Sequence, residues 1–113
     1  MENTIYKIAN YYGLDRQINK LVEELGEAVS AASEAMSLRT FRESNGKPGT
    51  EYERLEHLIA ELADVSVMIG QVLYLVDTKT AVDAYGIFYD AKDRGIEKTI
   101  KRIDHETKKG EEL

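Results

Sequence analysis

Two stretches of this chain repeat one acidic phrase. Lys20-Leu21-Val22-Glu23-Glu24-Leu25-Gly26-Glu27-Ala28 and His57-Leu58-Ile59-Ala60-Glu61-Leu62-Ala63-Asp64-Val65 each set two carboxylates three residues apart. The pairs are Glu24 with Glu27 and Glu61 with Asp64, and each is preceded by a basic or titratable residue, Lys20 or His57. Carboxylate oxygens are hard donors, so two such pairs can hold Mg²⁺, with Mn²⁺ as the alternative. A cation held this way can polarise a phosphoryl oxygen and lower the pKa of a bound water. Either Glu27 or Glu23 could then accept the water's proton.

Helices must position these pairs. Ile18, Leu21, Val22, Leu25, Val29, Ala32 and Met36 recur at steps of three and four, which predicts a helix from an N-cap at Asp15 to about Leu38. A second stripe runs through Leu55, Leu58, Ile59, Leu62, Val65, Ile69, Val72, Leu73 and Val76. Thr50 and Glu53 form a capping-box pattern that predicts its start near Glu51. At ~100° per residue, Glu24 and Glu61 fall at the same angle from their stripes, as do Glu27 and Asp64. The offset between copies is 37 residues for both pairs. Two antiparallel helices packed by their stripes would therefore turn both pairs toward one cavity. Carboxylates ~4 Å apart repel by about 4 kcal/mol at an effective dielectric near 20, and a divalent cation removes that cost. An acidic stripe is more often a solvated helix face; two copies in matching register argue for the site.

The remaining segments are also helical. Ile5 to Tyr12 is a short helix closed by Gly13. Residues 39–50 form a loop, where Asn45-Gly46-Lys47-Pro48-Gly49 is turn chemistry and lacks the spacing of a P-loop. Val82, Tyr85, Tyr89, Ile96, Ile100 and Ile103 keep helical spacing, interrupted by Gly86 and Gly95, and the charged tail over 107–113 frays. The second half of the second long helix is apolar nearly all round, which predicts a subunit interface. The reading is one all-α domain over 1–113, a helical bundle with two long antiparallel helices that carry the acidic motifs, completed by oligomerisation.

Composition narrows the function. The chain has 113 residues, 42% hydrophobic and 32% charged, enough for one domain with a core. No cysteine is present, so disulfides, thiolate metal sites and cysteine nucleophiles are excluded. A net charge of −6 disfavours binding to nucleic acid. The first residues lack a secretory pattern, and the longest apolar stretch, Ser66 to Val76, is too short to span a bilayer, so a cytoplasmic protein without membrane attachment is expected.

Glu23-Glu24-x-x-Glu27 followed by Glu61-x-x-Asp64 resembles the signature of the all-α nucleoside triphosphate pyrophosphatases. That superfamily includes the MazG-like proteins, the dimeric dUTPases, the dCTP pyrophosphatases and the phosphoribosyl-ATP pyrophosphatases. Tyr12-Gly13-Leu14-x-x-Gln17 and the basic segment with Lys98, Lys101 and Arg102-Ile103 also look MazG-like, so the resemblance covers about residues 10–103. It implies Mg²⁺-dependent hydrolysis of a nucleoside triphosphate to the monophosphate and pyrophosphate, by a homodimer or homotetramer. It implies Glu24, Glu27, Glu61 and Asp64 as metal ligands, with Glu23 orienting water or supporting the ligands. The 33 residues between Glu27 and Glu61 exceed the gap in many members, which leaves base selectivity open.

Cations must offset the triphosphate charge. Lys20 lies on the motif face, and Lys98, Lys101 and Arg102 form a basic helical segment suited to phosphate. Gln17 lies beside Glu24 on the wheel and could bond a base edge; Tyr11, Tyr12, Phe41 and Tyr52 could stack on one. Two other classes compete. One is a non-catalytic helical oligomerisation module. The other is a carboxylate-bridged redox metal protein, which needs Glu-x-x-His on two helices, a pattern this chain lacks.

Overall fold

The computed structural model describes residues 2–42 and 48–111. Four helices follow one another: α1 (Glu2–Tyr12), α2 (Leu14–Arg42), α3 (Pro48–Lys79) and α4 (Ala84–Glu111). The fold is all-α, as the periodicity requires. Both long helices outrun their expected bounds. α2 continues to Arg42. α3 starts at Pro48, so Thr50 lies inside the first turn rather than at the cap. Proline suits that place, because its missing N–H has no helical partner there and its φ is already helical. The long stretch between the acidic motifs is thus mostly extra helix rather than loop; residues 43–47, which include most of the expected turn sequence, lie outside the described residues.

α2 and α3 form the body. Arg54 bonds Glu34, and Gln17 bonds Gln71 near the other end, so the pairing runs antiparallel. The face that α2 turns to α3 carries Gln17, Glu24, Ala31 and Ala35, all buried. That face is rotated from the expected one. The sequence stripe centres near Leu25, yet Ile18, Val22, Leu25 and Val29 are exposed. Small alanines let the backbones approach, and the large aliphatic residues are left on an adjacent side of the helix.

α1 folds back on the C-terminal half of α3. Tyr6 stacks on Tyr74 with ring centroids 4.1 Å apart, and Asn10 donates a hydrogen bond to the Tyr74 hydroxyl at 2.9 Å. Gly13 makes the α1–α2 corner with φ +86°, which side chains disfavour. Its N–H closes α1 on the Ala9 carbonyl at 2.9 Å, and its carbonyl accepts from the Gln17 N–H at 3.1 Å. One residue so ends one helix and begins the next.

The second half of α3 is partly covered within the chain, with Ile69, Val72, Leu73 and Val76 half-buried. Met68, Gln71 and Leu75 are buried, while Val67 on the outer side stays exposed. α1, α2 and α4 all touch this helix. By length and composition α3 could also cross a membrane (Glu51–Lys79, mean hydropathy 1.6), beyond what the stretch Ser66 to Val76 suggests. It carries Glu61 and Asp64 midway, costly groups in hydrocarbon.

α4 runs unbroken through Gly86 and Gly95 and on through most of the tail expected to fray. Asp83 caps it, its Oδ1 accepting from the Gly86 N–H at 3.1 Å. A Cβ at Gly86 would collide with the Asp83 carboxylate, 2.2 Å away, so glycine here suits the cap. The Arg94–Asp90 pair at 2.7 Å, the Glu97/Lys101 and Asp104/Lys108 spacings, and Lys108 and Lys109 in the last turn support the distal part. Among the described residues α4 lies against α3 and, through Tyr85, against Tyr6 of α1, and Ala84 is its one buried residue. The radius of gyration is 19.0 Å, against the ~13 Å of a compact chain this long.

Gly13→Ala should destabilise the protein by about 1 kcal/mol, because alanine is strained at positive φ. Urea denaturation checks this; an unchanged midpoint would mean the corner tolerates a side chain.

Candidate metal centre

The rotation of α2 puts Glu24 in the helix seam itself, opposite Glu61 of α3. Oxygens of Glu24, Glu61 and Asp64 lie within 4.8 Å of one another. Glu24 is buried, Glu61 half-buried and Asp64 exposed, so the group opens to solvent on the Asp64 side. Each motif treats its first carboxylate alike. Lys20 Nζ is 3.3 Å from Glu24 Oε1, and His57 Nε2 is 3.9 Å from Glu61 Oε1, both four residues upstream. The other oxygens, Glu24 Oε2 and Glu61 Oε2, are fully buried and have no hydrogen-bond partner.

That pair of orphaned oxygens tests the fit for a metal. Buried polar atoms are almost always satisfied. Two carboxylates within 4.8 Å repel by on the order of 3 kcal/mol at an effective dielectric near 20. A hard divalent cation would satisfy both oxygens and cancel the repulsion, so the residues present fit Mg²⁺ or Mn²⁺.

Glu27, the fourth expected ligand, lies against this group rather than within the tight set. Its carboxyl holds its proton above the ordinary glutamate range, first because of the Glu24 charge, then through partial desolvation and the Glu61 charge. Glu23 is exposed and 3.6 Å from Lys20. The Lys20 ammonium is held protonated beyond the usual lysine range by its hydrogen bond to Glu24 and the charge of Glu23.

Beside the acidic group lies a cleft of about 520 Å³ whose lining includes Ile8, Tyr12, Arg16, Gln17, Lys20, Glu23 and Gln71. Gln17, expected to reach a base edge, is buried and donates its Nε2 hydrogen to Gln71 Oε1, forming part of the cleft floor. Arg16 lies over the Tyr12 ring, 5.0 Å from its centroid. Tyr11 is exposed edge-on to Tyr12, Tyr52 is exposed on α3, and the side chain of Phe41 lies outside the described ones. Lys98, Lys101 and Arg102 are exposed on distal α4, which does not touch α2 among the described residues. The structure therefore brings Gln17, Lys20, Glu23, Glu24, Glu27, Glu61 and Asp64 together, and leaves the three α4 cations apart from them within one chain.

Sequence reasoning missed Arg16 and Gln71. Both carried a signal: Arg16 falls on the wheel between Glu23 and Glu27, and Gln71 is a polar residue inside an apolar half-helix facing the Asp64 side. Comparison with family models, with curated proteins and with solved structures found no match for this chain. What stands is an all-helical, four-helix protein with an acidic cluster able to hold a metal ion.

A glutamate with raised folded pKa binds more protons folded than unfolded above its ordinary value of about 4.5, so stability falls as pH rises through that window. Metal-free protein should therefore lose thermal stability as pH rises above about 4.5, and Glu27→Gln should flatten that slope. Mg²⁺ should raise the wild-type Tm at neutral pH and less near pH 5. Scanning calorimetry measures both, and a Tm indifferent to millimolar Mg²⁺ and Mn²⁺ would count against a cation site.

Proposed function

We propose that this chain is a divalent-metal-dependent hydrolase that splits a nucleoside triphosphate into the monophosphate and pyrophosphate. The observation that carries the reading is the pair of buried, unpartnered oxygens on Glu24 and Glu61 beside Asp64. The motif resemblance supplies the choice of reaction; the geometry supports the metal on which it depends.

Glu24, Glu61 and Asp64 would hold the ion, which when bound supplies charge neutralisation for phosphate oxygens and a more acidic water. Glu27 lies against this group and is the better general base than Glu23, which Lys20 engages at the cleft rim. Water adds to the phosphorus and its proton passes to Glu27. The bridging P–O bond breaks, and the electron pair leaves with pyrophosphate. Lys20 offsets substrate charge next to the ligands. Tyr12 with Arg16 offers a flat cationic surface for a base, and Gln17 with Gln71 closes the floor. Lys98, Lys101 and Arg102 reach the triphosphate only by way of another subunit or a rearranged α4. A homodimer or homotetramer in the cytoplasm acting on (d)NTPs, whether in dNTP pool control or in removal of damaged nucleotides, is the setting this reading implies.

The uncovered aliphatic stripe on α2 favours one other reading, a non-catalytic oligomerisation module. Calorimetry with Mg²⁺ and a non-hydrolysable nucleotide separates the two, since a module gives no metal-linked nucleotide binding.

A nucleotide screen should detect pyrophosphate release from at least one common or modified (d)NTP. Glu24→Gln and Glu61→Gln should each lower it by about 100-fold or more, as loss of several kcal/mol of charge stabilisation requires. Orthophosphate as the sole phosphate product, or full activity in both variants, would overturn the reading.

A further inference from the structure

The floor of the cleft beside the acidic group is built from two glutamines on different helices. Gln17 of α2 is 5% exposed and Gln71 of α3 is 3% exposed. Gln17 Nε2 donates to Gln71 Oε1, which leaves Gln17 Oε1 and Gln71 Nε2 without a hydrogen-bond partner among the described residues. Unlike Glu24 Oε2 and Glu61 Oε2, these two atoms are not sealed from solvent, and both residues line the cleft. Buried side-chain amides rarely leave a polar end unused, so a free acceptor and a free donor are offered to whatever enters. The pair has a second property. The oxygen and nitrogen ends of a carboxamide have nearly the same shape. When both amides turn end for end, Gln71 donates to Gln17, one N–H···O bond is kept, and the free atoms exchange character. No third group among the described residues fixes the polarity, because neither amide has another partner.

We infer that Gln17 and Gln71 read the base of the nucleotide as a reversible donor–acceptor pair, so that the site takes amino-edged and keto-edged bases alike. The inference rests on the nucleotide-hydrolase reading and names its substrate class. The Watson–Crick edge of each common base sets a donor next to an acceptor, in one of two orders. Adenine and cytosine carry the donor on the exocyclic amino group and the acceptor on the ring nitrogen. Guanine, thymine and uracil carry the acceptor on the exocyclic oxygen and the donor on the ring nitrogen. A pair of fixed polarity would take one order and reject the other, because a mismatched edge leaves buried groups unpaired. A pair that turns as a unit matches both. The rest of the cleft is equally permissive. Tyr12 under Arg16 gives a stacking surface, and stacking tolerates any base because every base has a π-face. Met68, itself buried, forms part of the wall, and an unbranched thioether adapts to different outlines. The cleft volume of about 520 Å³ lies within the ~300–1,000 Å³ of sites that hold drug-sized ligands, so two-ring bases enter as well as one-ring bases.

Pyrophosphate release from dATP, dCTP, dGTP and dTTP with Mg²⁺ tests it. The wild type should give kcat/KM values within about tenfold of one another across the four. A thymine-shaped difluorotoluene nucleotide lacks the ring N–H and has no strong acceptor. It should be about 10–100-fold poorer than dTTP, the effect of two lost buried hydrogen bonds. Gln17→Met with Gln71→Met should shrink that ratio to about threefold or less. The ratio compares two substrates on one protein, so a variant of lower activity or stability still reports it. A pair that only fixed the packing of α2 on α3 would leave the ratio unchanged. Gln71→Glu removes the reversibility: a carboxylate only accepts, so Gln17 must donate to it, and two acceptors face the cleft. Guanine, with donors on N1 and N2, should then gain about tenfold or more over adenine and cytosine. Three results would overturn the inference while leaving the hydrolase intact: a wild-type preference beyond about tenfold for one edge order, a difluorotoluene ratio unchanged in the double variant, or a folded Gln71→Glu protein with no gain for guanine. Absence of both pyrophosphate release and Mg²⁺-linked binding for all of these nucleotides would overturn the hydrolase reading and the inference with it.

Discussion

Two like charges held in a helix seam are the constraint on which this structure turns. Glu24 and Glu61 occupy positions where a pair of helices would ordinarily put leucine or alanine, and each buries one oxygen without a protein partner. Net stabilities of small domains are about 5–15 kcal/mol, so an uncompensated repulsion of a few kcal/mol is a large fraction of the total. Lys20 and His57 address only the outer oxygens. A small, hard cation would satisfy the inner oxygens and offset the repulsion, so the cluster could hold a metal ion.

The position of the large aliphatic residues follows from the same constraint. Turning Glu24 into the seam rotates α2, and the rotation carries Ile18, Val22, Leu25 and Val29 out to the surface. Alanines at 31 and 35 then fill the seam, because only small side chains allow the backbones to close around short-reaching carboxylates. The hydrophobic burial that α2 forgoes inside the chain is displaced to another face. Site chemistry and surface character are thus two consequences of one helix orientation.

α1 and the cleft show how the site is framed. The left-handed corner at Gly13 sends α1 back along α3, where Tyr6 and Asn10 engage Tyr74. This sets Tyr12 and Arg16 beside Gln17 and Lys20, so a flat aromatic and cationic surface borders the carboxylates. α4 behaves differently: anchored by Ala84 and capped by Asp83, it extends outward with its cations in solvent.

The sequence by itself determined the all-α class, the break at Gly13, the two long helices and the equivalence of the acidic pairs, because helical period, caps and a 37-residue offset are local or additive signals. Gly95 and most of the charged tail nonetheless lie within α4, since i,i+4 charge spacing sustains the helix through both. Only the tertiary structure decided which side of α2 meets α3. A hydrophobic stripe more than 100° wide fits several helix rotations, and the choice among them depends on the partner helix, on alanine-limited approach and on the burial of Glu24 opposite Glu61. That same choice separated Glu27 from the three converging ligands and joined Gln71 to Gln17 across 54 residues, relations that no pattern within one helix encodes.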